Sequence, residues 1–262
     1  MELGAEIPGD RFGRGLLRAA GVTGDTLDLS AKLGGDRPTV LRVLVAMLKT
    51  TELKNCKLLK NNLYIESATM LAKIGTEKGI MLSGMTRNQT EAKFISQNLK
   101  PAEAILIASD LQFMAVLTRL ELQMNSIGNG GAKAISEALK VNPVLTNLRL
   151  FDNNIGDDGA KAIAEALKVN PVLTNLLLSG NNIGDDGAKA IAEALKVNRV
   201  LTSLGLSSNT IGVDGAKAIA EALKVNPVLT KLNLQLNCLR DAGEKAVRDA
   251  VKDQSGFVLL EL

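Results

Sequence analysis

Residues 145–172, LTNLRLFDNNIGDDGAKAIAEALKVNPV, decide the fold, because close copies of this stretch precede and follow it in tandem. The spacing between copies is 28 residues at every step, as in 145 − 117. A fixed period of about 20 to 50 residues is the signature of a solenoid, in which each unit contacts only its neighbours. The copies start at Leu117, Leu145, Leu173, Leu201 and Leu229, with a partial start at Phe257.

Each copy opens with a strand pattern that ends in an asparagine. Leu148 and Leu150 alternate with side chains of the other face, which is the period-2 pattern of a strand with one buried face. A buried amide must pair its donors and acceptors. We therefore expect the asparagine to bond to the turn backbone of its own and the adjacent repeat. It recurs as Asn125, Asn153, Asn181, Asn209 and Asn237.

The second half of each copy predicts a helix. Asp157 and Asp158 precede Gly159, and an aspartate at this point can cap the exposed amides of the helix. Pro171 is expected to end the helix, since the residue before a proline is biased out of helical conformation. The inward stripe follows the i, i+3, i+4, i+7 spacing of a helix face: Ala160, Ile163, Ala164 and Leu167.

Stacking such units gives an α/β solenoid. Parallel strands lie about 4.8 Å apart, whereas packed helices need about 8 to 10 Å. The stack must therefore curve into a horseshoe, with the parallel sheet on the concave face and the helices on the convex face.

The chain divides into three parts. Residues 1–26 are expected to be a lead-in that caps the first repeat, with a short amphipathic piece around Phe12, Leu16 and Leu17. Residues 27–116 are interpreted as degenerate repeats with an insertion near 75–88. Residues 117–262 are the regular repeats, of which the last is truncated.

Within the degenerate part, Asp36 is expected to be the N-cap of a helix that runs to about residue 50. The insertion is expected to hold one short extra strand at 80–82. A third repeat has Ala92 placed 28 residues before Leu120 and a helix over 101–113. In the last repeat, the spacing places Phe257, Leu260 and Leu262 on the buried face of a strand.

Composition limits the possible partners. The net charge is +3, and residues 117–262 hold 16 basic and 16 acidic side chains, so the regular array is neutral. Aromatic residues make up only 2%. A nucleic-acid binder would show a basic face with stacking aromatics, so no nucleic-acid partner is expected. No window has 18 uninterrupted apolar residues and no signal-peptide pattern opens the chain, which indicates a cytoplasmic protein without a membrane partner.

Catalytic chemistry is limited by the absence of histidine. Nucleophile systems that use histidine and histidine-based metal sites are excluded. The Asp pairs of the repeats do not match a calcium loop, because Gly156 occupies a ligand position and the closing Glu is missing. We expect no metal, no cofactor and no enzymatic activity. Cys56 and Cys238 are interpreted as reduced core residues.

The pattern LxxLxLxxNxIGxxGAxAIAEAL with its 28-residue period resembles the leucine-rich repeat of the ribonuclease-inhibitor type. This type also occurs in the sensor regions of NOD-like receptors and in the Ran GTPase-activating protein. The resemblance implies a right-handed α/β horseshoe that binds its ligand on the concave sheet or its rim loops. It carries no catalytic residue onto this chain.

Solvent-facing strand positions differ from repeat to repeat, whereas the helices hardly vary, and such variation is typical of a binding face. The expected function is a protein-interaction scaffold that binds a protein or peptide there, with a hot spot at Met124, Arg149, Phe151 and Leu177. The alternatives are a regulator of an enzyme such as a small GTPase, or a structural fragment of a larger protein of the NOD-like-receptor type. The candidate contact residues are Arg119, Glu121, Met124, Asn147, Arg149, Phe151, Asp152, Asn175, Leu177, Lys231 and Asn233.

Overall fold

The computed structural model describes residues 22–23 and 25–260, which form strands and helices in alternation. The strands are β1 Val22–Thr23, β2 Thr26–Asp28, β3 Asn55–Lys57, β4 Glu91–Lys93, β5 Arg119–Glu121, β6 Asn147–Arg149, β7 Asn175–Leu177, β8 Ser203–Gly205, β9 Lys231–Asn233 and β10 Val258–Leu259. The helices are α1 Pro38–Thr50, α2 Ile65–Lys78, α3 Pro101–Asp110, α4 Gly128–Val141, α5 Asp157–Leu167, α6 Asp185–Val197, α7 Val213–Val225 and α8 Arg240–Val251. A 3-10 turn, Leu111–Phe113, continues α3.

The strands form two sheets. Strands β4 to β10 make a seven-stranded parallel sheet in chain order, and β2 pairs in parallel with β3 while β1 pairs with β2 in antiparallel. From β4 to β9, facing residues are 28 positions apart, as in Leu120 opposite Leu148. The expected α/β solenoid, with its sheet on one side and its helices on the other, is confirmed.

The core is a continuous aliphatic layer between the sheet and the helices. The alternating strand leucines and the helix stripe are fully buried, with Leu148, Leu150 and Ile163 at 0% exposure. At about 1.5–3 kcal/mol for each fully buried large aliphatic side chain, the stripe makes every repeat depend on its neighbours. The expected lead-in residues Phe12, Leu16 and Leu17 lie outside the described residues.

The segment at 80–82 separates the two sheets. Met81 forms a parallel bridge with Asn55, and Leu82 accepts a bond from the N–H of Leu58, so the expected extra strand is placed beside β3. The insertion starts later than expected, since α2 continues through Gly75 to Lys78. A Cβ on Gly75 would lie 2.9 Å from the Ile80 carbonyl oxygen, so glycine there lets the segment pack tightly against the helix.

The strand-end asparagines pair as expected. Asn181 donates from Nδ2 to the carbonyls of Leu150, Leu178 and Ser179, at 2.8, 3.0 and 3.1 Å. Its Oδ1 accepts from the N–H groups of Asn153 and Ile155, at 3.0 and 3.1 Å. Each amide thus bonds to its own turn and to the turn of the preceding repeat.

A second asparagine, not Pro171, closes the helices. Asn198 donates to the Leu167 carbonyl of the preceding repeat at 2.7 Å and accepts from two N–H groups just beyond itself. It is followed by Arg199 where other repeats have proline, and α6 still ends immediately before it. The expectation that proline ends each helix is therefore wrong. The other members of this series are Asn142, Asn170 and Asn226.

The helix-start aspartates cap the next helix, not their own, which corrects the sequence interpretation. Asp157 Oδ1 accepts from the N–H groups of Gly184 and Gly187 at 2.7 and 2.9 Å. Asp36 likewise accepts from the N–H of Tyr64 at 2.6 Å, whereas the N-cap of α1 is Arg37. The stacked helices bring each N-terminus beside the first turn of the preceding helix, which a single-repeat view cannot show.

The last strand departs from the 28-residue period. Val258 pairs with Lys231 and Leu259 with Leu232, an offset of 27 (259 − 232). Gln254 replaces the helix-closing asparagine, and its backbone carbonyl accepts from the N–H of Phe257 in a tighter turn. Leu259 therefore takes the position expected for Leu260, which is wrong by one residue, whereas Phe257 packs against the core as expected. Leu262 lies outside the described residues.

The two cysteines differ in environment. Cys56 is buried in β3, and burial raises the pKa of its thiol to about 12, which fits a reduced core residue. Cys238 is exposed, contrary to expectation, because its repeat position lies on the turn before the buried Leu239.

Candidate protein-binding face

The register of the sheet sets the variable side chains in two rows on its solvent face. The first row follows the strands as Glu91, Arg119, Asn147, Asn175, Ser203 and Lys231. The second row follows them as Lys93, Glu121, Arg149, Leu177, Gly205 and Asn233. Both rows point away from the buried leucines, since successive side chains of a strand alternate between its faces.

The two rows gather six of the candidate residues on three neighbouring strands: Arg119, Glu121, Asn147, Arg149, Asn175 and Leu177. Phe151 lies two residues after the end of β6 and is half-buried. Lys231 and Asn233 lie on β9, with β8 between them and this group. The structure therefore separates the candidates into a main group on β5–β7 and a pair farther along the sheet.

Met124 and Asp152 occupy the turns that follow their strands, at the rim of the face. Both have positive φ angles, 59° and 54°, and both are exposed. The same turn position holds Gly180 two strands after Met124, with φ of 65°. These two candidates therefore project from the rim and not from the rows of the sheet.

Glu121 is the centre of a charged cluster and is only 5% exposed. Its Oε1 lies 3.8 Å from Arg119 Nη1 and 3.7 Å from Arg149 Nη1, so a guanidinium approaches it from each side. Gln123 Nε2 donates to its Oε2 over 3.4 Å. Charge-assisted hydrogen bonds are normally about 2.7–2.9 Å long. The Glu121 carboxylate thus offsets positive charge of the two arginines without occupying the hydrogen-bond donors of either guanidinium.

Strand β4 extends this cluster with residues that the sequence interpretation did not select. Glu91 Oε1 lies 3.6 Å from Arg119 Nε, and Lys93 Nζ lies 3.0 Å from Glu91 Oε2. Subtracting the 28-residue period from Arg119 and Glu121 leads directly to these two positions. They were not selected because the sequence of the third repeat departs from the pattern of the regular repeats.

Four polar atoms on this face are enclosed and have no hydrogen-bond partner within the described part of the chain. They are Gln123 Oε1, Asn147 Oδ1, Arg149 Nε and Asn175 Oδ1, and all belong to β5–β7 or the turn after β5. Gln123 as a whole is only 4% exposed. An enclosed polar atom without a partner typically costs about 1–3 kcal/mol. Their concentration in one place distinguishes this part of the sheet.

An apolar surface adjoins the charged cluster. Leu177 leans over Gly205 on the next strand, where a Cβ would lie 2.9 Å from Leu177 Cδ2. Gly205 therefore gives Leu177 the room to lie flat against the sheet. Phe151 is half-buried two residues after Arg149. The face thus combines charged and apolar contacts within three strands.

In residues 22–23 and 25–260, no helix has the length and apolar composition of a membrane span. The same residues contain no cluster of three or more Cys, Asp or Glu side chains arranged for a metal ion.

Five segments of the chain match the family model described as Leucine Rich repeat, at residues 114–136, 141–164, 169–192, 197–220 and 225–247. No protein of curated function matches the chain. A solved structure titled Leiomodin-1 Actin-Binding Site 2 has 22% sequence identity and a TM-score of 0.46, covering 72% of this chain and 87% of that one. The tropomodulin C-terminal domain of Caenorhabditis elegans has 13% identity and a TM-score of 0.46, covering 62% and 92%.

Proposed function

We propose that this α/β solenoid of leucine-rich repeats is a non-enzymatic interaction scaffold that binds a protein or peptide on the concave face of its sheet. The main contact group is on β5–β7, with Met124 and Asp152 at its rim and Lys231 and Asn233 extending it along the sheet. The residues of this main contact group are Arg119, Glu121, Asn147, Arg149, Phe151, Asn175 and Leu177.

The observation that carries the proposal is the set of enclosed, unpartnered polar atoms on β5–β7. Elsewhere the repeats pair their buried amides fully, as Asn181 does with five backbone groups. A framework that satisfies its own polar atoms so completely leaves the exceptions to be explained. A partner that rearranges Asn147 and Arg149 on binding would supply the missing hydrogen bonds.

Residue types on the face support the same function. Interfaces are enriched in arginine and aromatic residues, and their binding energy is concentrated in a few such anchors. Arg149 and Phe151 provide one of each, with Leu177 beside them. The helices, by contrast, repeat the same Lys and Glu pairs, such as Lys168 with Glu165 at 2.6 Å. Such exposed pairs contribute little to stability.

The test is a comparison of proteins captured from a native lysate by immobilised chains. The binding-face variant is Arg149→Ala with Phe151→Ala. The matched control removes a cation and an apolar side chain from the helix side, as Lys161→Ala with Val169→Ala, where Val169 is 59% exposed. Mass spectrometry should find partners that the wild type and the control retain and the binding-face variant loses. Equal retention of every partner by all three chains would reject this face.

A second proposal concerns the organisation of the chain. We propose that residues 1–26 cap the first repeat, that 27–116 form the degenerate repeats and that 117–262 form the regular array. The antiparallel β1–β2 pairing supports a cap at the start of the solenoid, since it covers the edge of β2 that faces away from β3. Limited proteolysis with mass spectrometry tests this division: early cleavage within 117–260 would contradict it.

A further inference from the structure

We propose that the segment bound on β5–β7 is extended and carries a carboxylate two residues from an apolar side chain, with the carboxylate held by Arg119 and Arg149. This inference rests on the proposed function and specifies the chemistry of the partner. It follows from the charge balance, the free donors and the spacing of the face.

The charge balance favours an anion. Across the two rows of β4–β6, the basic residues are Lys93, Arg119 and Arg149 and the acidic residues are Glu91 and Glu121, which leaves one positive charge (3 − 2). Glu121 is nearly enclosed and is already flanked by both guanidiniums. Lys93 Nζ pairs with Glu91 Oε2 at 3.0 Å, so the positive charge that remains lies on the two guanidiniums, whose side chains are 44% and 34% exposed.

The guanidiniums also have donors to spare. A guanidinium has five N–H donors in a planar fork that fits a carboxylate. Arg149 Nη1 lies 3.7 Å from Glu121 Oε1, which is ion-pair distance and longer than a hydrogen bond, and the Arg149 side chain is 34% exposed. Arg119 contacts Glu91 and Glu121 at 3.6 and 3.8 Å. A second carboxylate can therefore bond to both without displacing an existing short hydrogen bond.

The apolar half of the motif follows from strand geometry. Residues two apart in a strand lie about 6.5–7 Å apart on the same face, which is the separation between the positions of Arg149 and Phe151. A partner segment that lies extended along β6 has the same spacing between its own alternate residues. An acidic residue over Arg149 then places the second residue along over Phe151, while Leu177 lies level with Arg149 on the neighbouring strand.

The experiment uses pools of capped ten-residue peptides that are random outside a fixed pair, retained on the immobilised full chain. One pool fixes Asp-x-Leu, the second Asn-x-Leu and the third Lys-x-Leu. The wild type should retain the Asp pool about tenfold more than the Asn pool, the size expected for a hydrogen bond to a charged group. The Lys pool should be retained least.

Two variants give opposite results if the inference is correct. Arg149→Gln should reduce retention of the Asp pool about tenfold, whereas Glu121→Gln should increase it, because it removes the internal competitor for both guanidiniums. Lys161→Gln on the helix side is the control and should leave retention unchanged. Circular dichroism confirms that each variant is folded.

Equal retention of the three pools, preference for the Lys pool, or weaker retention of the Asp pool by Glu121→Gln would overturn the inference. These results leave the proposed function intact if lysate partners still depend on Arg149 and Phe151. Conversely, lysate capture that ignores both residues rejects the binding face itself.

Discussion

The substitution Asn181→Ala tests the framework at its most connected point. The side chain of Asn181 is fully buried and bonds to five backbone groups in two repeats. Three of these are carbonyls, and each keeps another partner after the substitution. Leu150 and Leu178 still accept from Asn153 and Asn209, and Ser179 still accepts from the N–H of Asp152.

The cost therefore comes from the two donors. The N–H groups of Asn153 and Ile155 bond only to Asn181 Oδ1 within the described structure. A buried donor left without a partner costs about 1–3 kcal/mol. Asn181→Ala should thus reduce the free energy of unfolding by about 2–6 kcal/mol.

Asn237→Ala provides a matched control at the last position of the series. Asn237 accepts from a single N–H group, that of Ile211 at 3.0 Å, and is only partly buried. Its removal should cost about half as much, about 1–3 kcal/mol. The difference in stability loss between the two variants therefore reports the number of backbone N–H donors left unpaired, because both substitutions remove the same side chain.

The assay is urea denaturation followed by far-ultraviolet circular dichroism, since the chain has no tryptophan. Amide hydrogen exchange of Asn153 and Ile155 should accelerate selectively in Asn181→Ala. Equal losses of stability in the two variants, or unchanged exchange at these two amides, would refute the reasoning from orphaned donors.

Three further substitutions test other parts of the structure. Val213→Asp should extend the inter-repeat capping series to α8 and raise stability by about 0.5–2 kcal/mol in urea denaturation; no gain would show that the position cannot reach the next helix. Leu236→Gly should stabilise the protein by about 1 kcal/mol, because Leu236 has φ of 54° and is 80% exposed; a lower melting temperature would contradict this. Burial raises the pKa of Asp110 from 3.8 to about 6, against the opposing hydrogen bonds from Ser83 and Leu82 and the charge of Arg87. The native state then holds this proton more tightly than the unfolded state, so stability should fall by up to about 3 kcal/mol as the pH rises from 4 to 7. Asp110→Asn should abolish that part of the pH dependence, and an identical profile in both proteins would contradict the assignment.

The regular repeats were predictable because their information is local and repeated. The alternation of Leu148 and Leu150 and the 28-residue period are sufficient to predict a strand, its buried face and its parallel neighbour. The asparagine series was predictable on the same basis, since a recurring buried amide must bond to recurring backbone groups.

Contacts between repeats were the part of the structure that could be predicted least well from the sequence. Capping rules describe an isolated helix and so assign Asp157 to its own helix, whereas stacking places its carboxylate beside the N-terminus of the next helix. Helices α4 and α8 lack an aspartate at the capping position of the preceding repeat: this position holds Pro101 for α4 and Val213 for α8. Both helices begin with a residue in the left-handed conformation, Gly128 and Arg240.

The binding face was only partly predictable. Strand alternation identifies which side chains leave the core, and this located Arg119, Glu121 and Arg149. It does not show which of them are enclosed, because burial of Glu121 depends on side chains from three strands. The unpartnered atoms of Asn147 and Arg149 likewise become visible only in three dimensions.

Site-specific photo-crosslinking tests the central claim of a concave binding face most directly. Benzoylphenylalanine replaces Phe151 in one chain and Val169, exposed on the helix side, in another, and each chain is irradiated in native lysate. The account predicts a discrete adduct from position 151 with the protein that Arg149→Ala loses, and none from position 169. An adduct of that same protein from position 169 alone would contradict the account.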